Sequence, residues 1–132
     1  MANPHLVFVY GSLKRGERNH ALLRAVEYRG EARTEPQFRL FALPFFPALV
    51  RDQADPQSIV GEVYAVGEST LRLLDRLEAN GQLYQREMID VESLDRPNER
   101  LRAWVYLYLG DLTGASPWPN ERWSGSRGGS AG

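Results

Sequence analysis

A chain of 132 residues with a formal net charge of −1, 42% hydrophobic and 25% charged residues and no cysteine has room for one ordinary domain with its own buried core. These numbers exclude a cysteine nucleophile, a disulfide framework and a cysteine-ligated metal. They also lack the basic excess of a nucleic-acid binder. Lys14, Arg15 and Arg18, with Glu17 inside the run, read as a solvated loop.

Met1 to Pro4 carries no positive charge, and the apolar run Leu6 to Val9 is too short for a signal or a membrane span. The expected location is the cytoplasm, with neither membrane nor nucleic acid as partner. A monomer or weak dimer is the expected state.

The first element is Leu6-Val7-Phe8-Val9-Tyr10, an apolar, β-branched and aromatic run that ends at Gly11-Ser12. It predicts a buried strand running into a turn. Gly16 closes that loop. Asn19 is positioned to cap a short helix to about Val26, with Leu22, Leu23 and Val26 on one face and Gly30 as its stop. Thr34 to Leu43 predicts a strand interrupted by Pro36. Pro44 and Pro47 bracket Phe45-Phe46 in an irregular apolar segment, and Asp52 to Ser58 reads as a turn.

Ile59 to Val66 predicts a strand whose Gly61 marks a bulge or a close backbone approach. Glu68 to Ala79 predicts a helix, capped by Ser69 or Thr70 and stopped at Asn80-Gly81. Tyr84 to Ser93 and Leu101 to Leu109 predict strands. In the second, both alternating sets are apolar or aromatic, which implies burial on both sides, as in a barrel wall. Pro117, Trp118, Pro119 and Trp123 suggest an irregular strap. Ser124 to Gly132, made of Gly, Ser, Ala and one Arg, is expected to be a flexible tail to a domain spanning 1–123. Long alternating βα units are missing, so the expected class is α+β, a mixed and partly closed sheet with helices outside it.

Two features carry chemistry. A strand ending in Gly-Ser can leave backbone N–H groups unpaired. Gly11 admits a ligand close to the backbone, and such N–H groups form a cup for a carboxylate or phosphate, with the Ser12 hydroxyl as a further donor. An ordinary structural turn is the alternative. The spacing is neither that of a P-loop nor that of a dinucleotide fold.

The second feature is Glu78. At 100° per residue from Leu71, Leu74 falls at about 300°, Leu77 at about 240° and Leu73 at about 200°, making the buried face. Glu78 falls at about 340°, on the edge of that face, with Asp75 and Arg76 further round toward solvent. A glutamate at such an edge is partly desolvated and becomes a better base. The alternative is that it reaches water or pairs with Arg86 or Arg24. His5 and His20, the two histidines, have no metal-ligand spacing. No nucleophile-elbow motif is present. Trp104, Tyr106 and Tyr108 read as a packed aromatic core.

Phe8-Val9-Tyr10-Gly11-Ser12-Leu13-Lys14-Arg15-Gly16 followed by Asn19-His20, then Gly61 to Val66, Leu74-Asp75-Arg76-Leu77-Glu78 and Leu83-Tyr84-Gln85-Arg86, resemble in order and spacing the γ-glutamyl cyclotransferase-like (AIG2-like) superfamily. The resemblance is closest to its γ-glutamylamine cyclotransferase branch. It implies a small mixed-strand β-barrel with flanking helices and Glu78 as the acid/base residue. It also implies that Tyr10, Gly11, Ser12, Leu13 and Tyr84 surround the substrate. The reaction it implies is ring closure of a γ-glutamyl amine or γ-glutamyl amino acid to 5-oxoproline, with no metal or cofactor. A catalytically silent binding module and a tailoring enzyme that removes a γ-glutamyl protecting group remain as other readings. Phe41 to Asp52 and Ala79 to Gln82 follow no part of the family pattern, and both are expected to border the pocket.

Overall fold

The computed structural model describes residues 4–17, 19–23, 25–44 and 46–123. The tail expected at 124–132, and the expectations placed on Arg18, Arg24 and Phe45, lie outside the described residues. The elements are β1 (His5–Val9), a 3₁₀ turn (His20–Leu23), β2 (Glu27–Thr34), β3 (Phe38–Ala42), β4 (Pro47–Arg51), β5 (Val60–Val66), α1 (Glu68–Leu77), β6 (Tyr84–Ser93), β7 (Arg100–Tyr108) and β8 (Ser116–Pro117). Five strands close a barrel in the order β1-β5-β2-β6-β7, while β4-β3-β8 form a separate sheet. The barrel is mixed: β1 runs parallel to β7 at Val7 and Trp104 and antiparallel to β5.

β5 carries the barrel's burial, because all seven of its residues are buried between β1 and β2. Its Gly61 is a close approach rather than a bulge. A Cβ there would lie 2.4 Å from the Val9 carbonyl oxygen and 2.7 Å from the Phe8 ring. The bulge is instead in β2, between Tyr28 and Gly30.

β7 is buried on both faces, as its sequence implies. Ala103, Val105 and Leu107 join the core shared with Phe38, Leu40 and Leu49 of the second sheet. Tyr106 joins Leu71 and Leu74 of α1 in a second cluster.

Several expectations need correction. The helix expected from Asn19 to about Val26 shrinks to the 3₁₀ turn, and the chain enters β2 at Glu27. In β2 the inward positions are Gly30, Ala32 and Thr34, too small or polar to give an apolar alternation, and Gly30 reads as a stop. The strand expected over 34–43 divides around Pro36 into the end of β2 and β3. The segment after Pro44 is not irregular throughout, since Pro47 opens β4, an outer strand of its sheet among the described residues, and at the first position of an edge strand a missing N–H costs no ladder bond.

α1 ends at Leu77, two residues early, and starts from Gly67 with no side-chain cap, so Ser69 and Thr70 lie inside it. Leu71 and Leu74 are buried, but Leu73 and Leu77 are 47% and 40% exposed. The apolar face is therefore narrower than the wheel suggests. The strap is partly regular: β8 pairs with Phe41 and Ala42, and Trp123 is buried against Trp118. No helix among the described residues is long and apolar enough to cross a membrane.

Candidate active site

β1 runs out at Val9 and delivers Tyr10, Gly11, Ser12 and Leu13 to one wall of a cavity of about 160 Å³. The end of α1 delivers Glu78 to the same cavity, and the start of β6 delivers Tyr84. All six residues singled out from the sequence therefore line one space.

The loop is held from below. Asn19 donates its backbone N–H to the Ser12 carbonyl and its amide to the Ser12 hydroxyl, both at 2.9 Å. The His20 ring donates from Nδ1 to the Leu13 carbonyl at 2.9 Å. Arg15 donates its backbone N–H to Glu62 Oε1 at 2.9 Å, and Lys14 Nζ reaches the Trp123 carbonyl. In this loop carbonyls are satisfied while donors are left over. Among the described residues, the N–H groups of Gly11, Ser12 and Leu13 find no acceptor in the chain. Gly11 and Leu13 are buried and Ser12 is half-buried, and successive N–H groups left open in such a setting can form a cup for an anion. Gly11 is required sterically as well, because a Cβ there would sit 2.7 Å from Pro47 Cγ.

Glu78 is the C-cap residue of α1, with φ −89° and ψ 1°. Ala79 follows at φ +47°. The Ala79 N–H bonds the Arg76 carbonyl at 3.2 Å and the Asn80 N–H bonds the Asp75 carbonyl at 2.9 Å. This is a Schellman ending with alanine in the left-handed position that glycine usually takes. It turns the chain sharply at Glu78.

Among the described residues, the Glu78 carboxylate takes no hydrogen bond or ion pair. Burial pushes it from the ordinary 4.5 to about 7. The negative end of the α1 dipole acts in the same direction. Arg86, one expected partner, turns instead to Asp75. Asp75 itself is not directed to solvent but is half-buried and bonded.

The tyrosines are walls rather than free donors. Tyr10 donates its hydroxyl to the Tyr106 carbonyl at 2.7 Å, and Tyr84 donates to the Pro47 carbonyl at 2.7 Å. Burial pushes both phenols up, and the Glu78 charge adds to that. They hold their protons, and their rings close the cavity. Tyr106, Phe46, Pro47, Asn19 and Leu83 also line it. Tyr106 was legible only as one of an aromatic series. Phe46 and Pro47 belong to the stretch expected to border the pocket, whereas none of 79–82 reaches it.

The chain is similar to known proteins over most of its length. A family model described as "Gamma-glutamyl cyclotransferase, AIG2-like" matches residues 7–125. A Vibrio cholerae relative is 40% identical over 104 residues, 79% of this chain and 82% of its own. A Homo sapiens protein named gamma-glutamylaminecyclotransferase is 41% identical over 97 residues, 68% of this chain and 63% of that one. The crystal structure of an AIG2-like protein from Mus musculus superposes with a TM-score of 0.84 at 28% identity, covering 99% of this chain and 97% of that one.

Proposed function

We propose a reaction for a chain that belongs to the AIG2-like γ-glutamyl cyclotransferase family: closure of a γ-glutamyl amide on itself, releasing 5-oxoproline and a free amine. The α-nitrogen of the glutamyl group attacks its own side-chain carbonyl carbon. The new N–C bond closes a five-membered ring, and the bond from that carbon to the amide nitrogen breaks. One proton leaves the α-ammonium to free the lone pair. A second leaves the same nitrogen as the ring closes, and the departing nitrogen gains a proton.

Glu78 is the residue proposed to carry these protons. Both nitrogens are attached to one tetrahedral carbon, so one carboxylate can serve both. The cup of Gly11, Ser12 and Leu13 N–H groups is proposed to hold the α-carboxylate or polarise the reacting carbonyl. The walls of Tyr10 and Tyr84 are proposed to keep the glutamyl chain folded back, where an intramolecular attack gains most of its rate. The reaction draws on no metal or cofactor. The proposed setting is a monomer or weak dimer in the cytoplasm working on a small γ-glutamyl substrate.

The observation that carries this reading is the pairing across one cavity of a carboxyl pushed up to about 7 and three N–H groups, none of which has a partner among the described residues. The test follows 5-oxoproline release from a panel of γ-glutamyl amines and γ-glutamyl amino acids. Glu78→Gln is expected to lose on the order of 10³-fold in kcat. Undiminished turnover by that variant would sink the assignment. An amide bound tightly by the wild type and recovered intact would replace it with a binding module.

A further inference from the structure

The family-like elements around Glu78 include two residues to which the proposed reaction gives no work, Asp75 and Arg86. The structure brings them together. Asp75 Oδ1 accepts from Arg86 Nε at 2.8 Å and from the Tyr106 hydroxyl at 2.7 Å, and Asp75 Oδ2 accepts from the second guanidinium nitrogen at 3.2 Å. The Arg86 guanidinium lies 4.2 Å over the Trp104 ring. Its backbone N–H is taken by the Asn80 side chain at 2.8 Å.

Asp75 is three residues before Glu78, one turn back on the same helix and on the same side. The residue it grips on β7, Tyr106, lines the cavity and offers its carbonyl to Tyr10. One carboxylate therefore ties the last turn of α1 to β6 and β7 at the level of Glu78.

We propose that Asp75 is a positioning residue for Glu78, fixing the last turn of α1 through Arg86 and Tyr106 and holding the Arg86 cation off the Glu78 carboxyl. This rests on the acid/base role proposed for Glu78. The groups facing Glu78 from the packed elements are phenols: Tyr10 beyond β1, Tyr84 on β6 and Tyr106 on β7. Among the described residues, the charged groups of the same region are Asp75 and Arg76 on its own helix and Arg86 on β6, which Asp75 holds. Paired with Asp75, the Arg86 guanidinium has its charge balanced and is ring-stacked. Without Asp75, nothing among the described residues pairs with the guanidinium, which is then free to swing toward the Glu78 carboxyl, and an opposite charge within about 4–6 Å lowers a carboxyl's pKa.

The experiment compares wild type, Asp75→Asn and the double variant Asp75→Asn/Arg86→Gln. It reads kcat and KM across pH, and the ¹³C shift of the Glu78 carboxyl across pH. Asp75→Asn is expected to lose roughly 10- to 100-fold in kcat, as a displaced catalytic group does, with KM within about threefold. Its Glu78 midpoint should fall by about one pH unit. In the double variant the midpoint should return toward the wild-type value while kcat stays low.

A role in folding alone predicts a lower melting temperature with an unmoved midpoint and a kcat unchanged per folded molecule, and that result overturns the proposal. Equal kcat and equal midpoints in all three proteins overturn it as well. The carboxyl titration needs no turnover, so a failure of the cyclotransferase reading, seen as undiminished activity in Glu78→Gln, is told apart from a failure of this inference.

Discussion

Two glutamates flank the Gly11-to-Arg15 loop, and the fold treats them oppositely. Glu62, on the wholly buried β5, is 9% exposed and its Oε1 accepts from the Arg15 N–H at 2.9 Å and the Tyr64 hydroxyl at 3.0 Å. Glu78, across the cavity on the end of α1, accepts nothing among the described residues. Burial alone therefore does not separate them, since Glu62 is buried and Glu78 is half-buried in the cavity wall. What separates them is whether the fold has completed the hydrogen bonding. Completed, the group is an anchor for the loop. Left open, it is the group proposed above to trade a proton near neutral pH.

Substitutions on the two sides sharpen the contrast, and the largest expected effect on stability is at the anchor. Glu62→Ala leaves the Arg15 N–H and the Tyr64 hydroxyl without their acceptor and should cost about 3 kcal/mol in urea unfolding. A cost under about 0.5 kcal/mol would mean that Glu62 is not an anchor. On the other side the sign reverses. The folded Glu78 carboxyl titrates at about 7 against an ordinary 4.5. Its contribution to stability is fully present below about 4.5 and is lost as pH rises through about 7. Glu78→Gln resembles the neutral acid at every pH. It should match the wild type near pH 4.5 and become more stable by about 2 kcal/mol at pH 8. A glutamine variant less stable than wild type at pH 8 would show that the carboxylate has a partner.

Legibility followed how much of each element's structure is written in its own residues. β6 spans Tyr84–Ser93, as its alternation gives it, and β5 differs by one residue at its start. β2 was hidden because its inward positions are Gly30, Ala32 and Thr34, and β4 because it opens on Pro47. Both depend on partners far away in sequence to define them as strands. The Glu78 edge position came from helical period alone. The period could not say that Asp75 would be drawn inward, because the groups that draw it, Arg86 and Tyr106, lie on other elements. The same limit made Leu73 and Leu77 look buried. The loop from Tyr10 to Leu13 could be named from its turn chemistry and its family-like motif. That its donors stay open follows from Asn19, His20 and Glu62 satisfying other atoms around it, which only the folded chain displays.

Under the proposed reaction, burial with no partner among the described residues makes Glu78 the group whose proton governs turnover. The pH dependence of kcat/KM on a γ-glutamyl amide tests it most directly, because its limbs report the free enzyme's essential groups. Corrected for the substrate's own amine, titrated separately, the wild type should show an acid limb with a midpoint of about 7, absent from the residual activity of Glu78→Gln. A midpoint between about 4 and 5, where an ordinary glutamate titrates, or a limb that survives in the glutamine variant, would contradict it.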